Sequence, residues 1–231
     1  FLFAFTLLEK GKGGWAVLII MISSTTKVYG IVELLILFCY KKTFLRLSYA
    51  ALYGVLLLTL PILKTGIDGF IPCFENWWNI LAQHQTETNY RSLLYTFPLN
   101  YFLSHYRIIQ ISTIIPIITA FFYRYHNWNN FNFRVTILAV LMGWIIVFGD
   151  SSESHTYLIA LAGFILWHFT QGNHTLFYKI LFWSMYIFIS IIPIDILIPT
   201  SVFKLLNFTL YIDVYLYSIF WCMMVWSLCH K

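Results

Sequence analysis

Apolar residues occur in long blocks along this chain, separated by short polar breaks, and do not alternate with polar ones at the period of a half-exposed strand or helix. Charge-free runs cover residues 47–63, 108–123, 135–149, 156–178 and 180–194, and a last run, 205–229, is interrupted only by Asp213. A helix that crosses the hydrocarbon core of a bilayer needs about 20 mostly apolar residues, and fewer where flanking side chains snorkel. Blocks of this length, apolar on every face, predict an all-α fold: a polytopic transmembrane helix bundle. No internal repeat, low-complexity tract or Gly/Ser linker interrupts the pattern, so the expectation is one multi-pass membrane domain over 1–231.

The stretch 15–40 departs from the pattern. It is long enough for one tilted helix, yet Ser23-Ser24-Thr25-Thr26-Lys27 stands in its middle and Gly30 follows. Four hydroxyl residues and a lysine make a poor lipid-facing helix centre. The alternative is a hairpin of two short helices with a polar apex. The tendency of Lys and Arg to stay on the cytoplasmic side chooses between the two. With a hairpin, Lys10, Lys12, Lys41, Lys42, Arg46, Arg124, Arg134, Lys179 and Lys231 share one side, and Asp68, Glu75, Glu87, Asp150, Glu153 and Asp195 share the other. A single helix would set Lys10 and Lys12 opposite Lys41 and Lys42. The hairpin is therefore expected, with the basic side cytoplasmic.

On this topology two loops lie outside. The first, 64–91, carries Trp77 and Trp78 beside apolar residues, which suits an interfacial helix lying on the membrane. The second is Gly149-Asp150-Ser151-Ser152-Glu153-Ser154-His155. The aromatics of the cytoplasmic loop 124–134 fit an interfacial belt.

Composition agrees with the pattern. The chain is 60% hydrophobic and only 10% charged, against roughly 25% charged in ordinary soluble domains. Its net charge of +5 does not gather into the basic stripe of a nucleic-acid binder, so no nucleic-acid partner is expected. Cys39, Cys73, Cys222 and Cys229 form no CxxC pair and are read as apolar packing residues. The opening Phe1-Leu2-Phe3-Ala4-Phe5-Thr6-Leu7-Leu8 is about half a membrane helix without a basic n-region or cleavage site. The expectation is a piece of a longer protein whose first helices precede it.

Lys27 is the most informative residue. A charge at the bilayer centre costs roughly 2.5–3.5 kcal/mol on insertion scales, so a carboxylate, an anionic ligand or water must offset it. A lysine at the apex of a broken helix pair can hold phosphate as a point charge, and a second half-helix starting at Val28 would add its first N–H groups. Ser23, Ser24, Thr25 and Thr26 could cap that helix or donate to phosphate oxygens. The plainer alternative is a lysine that snorkels or pairs with a carboxylate. Glu33, six residues on, does not stack on Lys27 along a straight α-helix and is expected to face the bundle interior, hydrogen-bonded and protonated. Asp213 is expected to make a polar contact between helices.

Asp150, Glu153 and His155 form the one cluster with the makings of proton transfer, here weighted toward substrate contact. His84 and Glu87 stand three apart on the expected interfacial helix. No Walker loop, GxSxG elbow, dinucleotide fingerprint or HExxH is present, and no metal or cofactor is implied.

Three stretches resemble glycosyltransferase family 87, especially its Bacteroidetes members. The first is Ile22-Ser-Ser-Thr-Thr-Lys-Val-Tyr-Gly-Ile-Val32 with Leu37-Phe38-Cys39-Tyr40-Lys41-Lys42. The second runs from Phe133-Arg134 through Trp144-Ile-Ile-Val-Phe148 to Glu153-Ser154 and the helix after Thr156. The third is Pro193-Ile194-Asp195 followed by Ile-Leu-Ile-Pro199. His155 stands where the family has proline, and Asp150 where a basic or polar residue is commoner. The resemblance implies a GT-C fold, of which this chain would be the C-terminal part, in a bacterial cytoplasmic membrane. It implies transfer of a sugar, such as mannose, from a polyprenyl-phosphate carrier to a glycan or glycolipid acceptor outside the cytoplasm. The donor is thus a lipid-linked substrate and no cofactor. The family's catalytic carboxylate lies in the first external loop, and no position of this chain carries it over. Lys27 carries over as the lipid-phosphate contact and Glu153 as lining for the acceptor, and the two are expected to share a cavity. A flippase or transporter of a lipid-linked sugar is the competing reading, and a non-catalytic assembly subunit the third.

Overall fold

The described parts of the apolar blocks are mostly helical in the computed structural model, which describes residues 1–84, 106–149, 157–172, 175–190, 199, 201–202, 205 and 212–230. The described residues are all-α, without strands. Two compact units emerge, Phe1–Asn89 and Tyr90–Lys231.

The first unit begins with α1 (Leu2–Glu9) and α2 (Gly13–Thr26), which pack on each other. Lys27 then leaves helical geometry (φ −137°, ψ 116°), and the chain returns as a 3-10 helix, Val28–Cys39. The expected hairpin is present. Its second arm is the surprise, because runs of 3-10 helix beyond three or four residues are uncommon. The buried positions of this arm include Gly30, Glu33, Ile36 and Cys39, spaced at the three-residue turn of a 3-10 helix. At about 2.0 Å per residue its 12 residues span about 24 Å, close to the roughly 21 Å of α2 at 1.5 Å per residue. The return arm therefore reaches the level at which α2 began, and Tyr40 donates a hydrogen bond to the Glu9 carboxylate there.

Glycine sets the approach of the arms. A Cβ on Gly30 would stand 2.7 Å from the Ser24 backbone N and 2.8 Å from the Ser23 carbonyl carbon. Next, α3 (Thr43–Thr59) runs alongside α2 in the same direction, with Arg46 against Gly13 and Met21 against Gly54. That register brings the end of α3 level with the apex of the hairpin. There Pro61, which lacks an N–H, breaks the chain, and α4 (Ile62–His84) leaves at 86° to α3. A further kink in α4 sits at Gly66, whose φ of 68° suits glycine.

The second unit is built around α6 (Phe131–Val147), buried continuously from Val135 to Val147. It packs on α7 (Tyr157–Thr170), on α9 (Ile212–His230) and on α5 (Tyr106–Tyr123), while α8 (Leu176–Ser190) lies against α7 and α9. Close approach of α6 and α7 depends on Gly163, whose Cβ would meet the Ala139 backbone at 3.2 Å. Gly143 gives room to Phe164 and Trp221. Polar atoms inside this apolar bundle pair across helices: Trp144 Nε1 donates to Thr113 Oγ1 (3.0 Å), Trp221 Nε1 to the Val140 carbonyl (3.0 Å), and Gln171 Nε2 to Thr136 Oγ1 (2.8 Å).

One boundary differs from expectation. The pattern placed a break at Lys179, between the runs 156–178 and 180–194. The helix instead stops at Gln171-Gly172, with Gly172 left-handed (φ 74°), and Lys179 lies inside α8. A lone lysine does not end a helix, whereas a left-handed glycine does. The cysteine reading also changes. Cys39 is buried, Cys73 is half-buried, and Cys222 and Cys229 are exposed on α9.

Candidate functional site

The site expected at the hairpin apex is described in part. Lys27 is the junction residue: its N–H donates to the Ser23 carbonyl (2.8 Å), ending α2, and its carbonyl accepts from Gly30 N–H (2.9 Å), opening the 3-10 arm. Val28 therefore starts the second arm as the sequence suggested, and the Lys27 side chain is exposed.

The hydroxyl run does something other than expected. Ser24 Oγ donates to the Ile20 carbonyl (2.8 Å), Thr25 Oγ1 to Ile22 (3.0 Å), and Thr26 Oγ1 to Ile22 (3.1 Å) and Ser23 (2.9 Å). These groups bond back into their own helix and do not cap the second arm, whose N-terminus has no side-chain cap. The reason is local: a hydroxyl three or four residues after a helical carbonyl reaches it without moving the backbone. The hydroxyls add second hydrogen bonds to carbonyls of the last turns of α2, just before the helix stops.

Glu33 is fully buried, as expected. Its contacts differ from the expectation, for neither carboxylate oxygen makes a hydrogen bond. One of them stands 3.6 Å from the Phe1 backbone nitrogen. The six-residue spacing from Lys27 also changes meaning. Lys27 is extended and precedes the 3-10 arm, so no helical spacing relates it to Glu33, and the one is exposed while the other is buried. The inward face of the arm, not a pairing with Lys27, determines where Glu33 points.

α4 stands where an interfacial helix was expected. Beyond the kink at Gly66, Ile67, Ile71 and Trp78 are exposed at helical spacing, with Asp68, Glu75 and Asn79 on an adjacent line. Phe74, Glu75, Trp77, Trp78 and Asn79 line an open recess on this helix. Lys27 is not part of that lining.

The remaining candidates are less accessible. Asp150, Glu153 and His155 lie outside the described residues, as do Glu87 and Asp195. His84 ends α4, and Asp213 falls in the first turn of α9; their side chains are not described. Among the described residues no three His, Cys, Asp or Glu side chains converge as a metal site.

The hairpin reading set Lys10, Lys12, Lys41, Lys42 and Arg46 on one side, and what it missed are the side-chain contacts at that end of the first unit. There Glu9, Tyr40 and Arg46 form a chain of contacts, with the Arg46 guanidinium 5.3 Å from the Tyr40 ring centre and packed against Gly13. Glu9 and Tyr40 carried no signal in the sequence, and only folding shows that they bond to each other.

No family model, curated protein or solved structure matches this chain.

Proposed function

We propose that this chain belongs to a multi-pass membrane glycosyltransferase of the GT-C type. In this reading it moves a sugar from a polyprenyl-phosphate carrier to an acceptor outside the cytoplasm, with Lys27 holding the lipid phosphate.

The membrane half of this reading is supported by one pattern: exposed apolar stripes at helical spacing. On α5 the exposed residues include Ile108, Ile111, Ile115, Ile118 and Phe122; on α8, Leu176, Ile180, Trp183 and Ile187; on α9, Tyr215, Ile219, Cys222 and Trp226. α3 buries only Ala50 and Gly54 and exposes Leu52, Val55, Leu56 and Leu58. Soluble monomers rarely expose contiguous apolar surface beyond a few hundred Å², whereas in lipid the same stripes are solvated. No single described helix is long and apolar enough to cross a membrane, but the bent pair α3 and α4 passes by length and composition. Apolar helices of 14 to 17 residues, such as α2, α6 and α7, are accommodated by local thinning and by flanking side chains that snorkel.

The catalytic half rests on Lys27 at a broken hairpin apex, on the level from which α4 departs. On this reading α4 lies along the outer interface, and Lys27 faces the headgroup region, where a polyprenyl phosphate would sit. In transfer, the bond between the sugar's anomeric carbon and the phosphate oxygen breaks as the acceptor oxygen bonds to that carbon. The acceptor proton passes to a base not assigned in this chain. Polyprenyl phosphate leaves with an added negative charge, and a fixed cation stabilises that charge as it develops.

The test is transfer of radiolabelled sugar from polyprenyl-phosphate donors by the full-length protein in membranes. A hydrogen bond to a charged group contributes about 1.5–3 kcal/mol, so Lys27→Ala is expected to lower transfer by roughly 10- to 150-fold, with Lys27→Arg retaining part of it. Equal transfer by wild type and Lys27→Ala, at equal expression, would remove Lys27 from the mechanism.

A further inference from the structure

The end of the first unit opposite Lys27 gathers cations from two separate turns. Lys10-Gly11-Lys12 joins α1 to α2, with Gly11 left-handed at φ 72°. Lys41-Lys42 joins the 3-10 arm to α3, with Lys42 itself left-handed at φ 63°, a conformation uncommon for a residue with a side chain. The Glu9–Tyr40 hydrogen bond and the packing of Arg46 on Tyr40 and Gly13 hold the two turns together. All four lysines are exposed, and among the described residues none of them forms an ion pair. Arg46 is half-buried, and its Nη1 has no hydrogen-bond partner. Five cations thus face one described carboxylate, Glu9, which already accepts from Tyr40.

Exposed like charges gathered at one end of a unit repel one another, and an anionic surface lying against them relieves that repulsion. Two features identify the class of anion. Trp15 is 66% exposed and Phe44 is 89% exposed, and both flank the cations. Behind them come the apolar helices. A cationic rim bordered by exposed aromatics and then by hydrocarbon matches the headgroup layer of a bilayer, not the polar backbone of a nucleic acid.

We infer that the turns Lys10–Lys12 and Lys41–Lys42, with Arg46, form a binding surface for anionic phospholipid headgroups. The inference rests on the membrane half of the reading above and is independent of sugar transfer and of Lys27. Basic residues next to a membrane gain about fivefold each in affinity for an anionic surface.

The test titrates the detergent-purified full chain with phosphatidylglycerol or phosphatidylcholine and counts bound lipid by native mass spectrometry. Wild type is expected to bind phosphatidylglycerol at least about tenfold more tightly. The variant K10Q/K12Q/K41Q/K42Q, which keeps Arg46 and its packing, is expected to bind both lipids alike. Should that variant lose its helical circular dichroism, the pairs K10Q/K12Q and K41Q/K42Q are used, each expected to reduce the preference several-fold. Equal binding of the two lipids by wild type, or a preference that survives both pairs, overturns the proposal. So does displacement of phosphatidylglycerol by equimolar inorganic phosphate or by a DNA duplex. Lys64→Gln, an exposed lysine on α4 outside both turns, is expected to leave the preference intact; a loss there equal to that of the turn variants would show a general charge effect and overturn the assignment to the turns. Failure of the wild type to enter phosphatidylcholine nanodiscs would instead defeat the membrane reading itself.

Discussion

Two glycines illustrate how single positions shape the first unit. Gly30 faces backbone atoms of Ser23 and Ser24 closer than any Cβ could approach them, and backbone cannot swing aside as a long side chain can. Gly30→Ala should therefore spread the hairpin arms and cost about 1–3 kcal/mol, the usual range for overpacking. It would be read as a lower thermal midpoint in detergent. Gly14 is the control. Its Cβ would lie 4.0 Å from Tyr49, an ordinary contact, so Gly14→Ala should be neutral or slightly stabilising, since alanine is the better helix former. Matching losses from both variants would show that the apex approach has no special role. Lys27 belongs to this scale as well. Its extended backbone conformation is where the chain reverses, so its chemistry and its structural duty can be separated only by a substitution such as Lys27→Arg.

At the scale of elements, the informative contrast is between two faces of one helix. On α5, Ile115 is 55% exposed and Ile117 fully buried. In water, a polar residue at Ile115 should change stability by less than about 0.5 kcal/mol, as is usual for surface sites. In lipid, Ile115→Lys should cost roughly 2.5–3.5 kcal/mol near the bilayer centre. Carbonate extraction of cell membranes distinguishes the two. The lipid-facing reading expects a clear fall in the membrane-integrated fraction, and an unchanged fraction would count against it. The 3-10 arm is the other lesson at this scale. Its residues repeat at three, so a helix drawn at 3.6 residues per turn assigns its faces wrongly, although it too would bury part of the arm.

For the first unit as a whole, the geometry separates a basic end from the hairpin apex by the length of α2. On the bilayer reading these ends face opposite compartments. Single cysteines at Lys12 and at Lys27, in a chain whose own four cysteines are replaced by serine or alanine, should react with an impermeant maleimide from opposite sides of sealed vesicles. Labelling of both from one side would rule out a hairpin that inserts from the basic end. In the second unit the arrangement is concentric, with α6 enclosed and apolar stripes of α5, α8 and α9 outermost.

The sequence alone determined the helical class and the approximate extent of α3, α5 and α6, because long charge-free apolar blocks have few other ways to satisfy their backbone hydrogen bonds, even with Pro116 inside α5. It also located the reversal at Lys27, since hydroxyls, a charge and a glycine cannot continue a uniformly apolar helix. Bounding the runs by charge put a break at Lys179 and passed over Gly172, the glycine at which the helix stops. Only the tertiary structure decided the winding of the second arm, the inward bonding of the Ser and Thr hydroxyls, and the meeting of the two basic turns. Each of these depends on distances between segments remote in sequence or on a choice between hydrogen-bond partners, and apolar composition constrains neither.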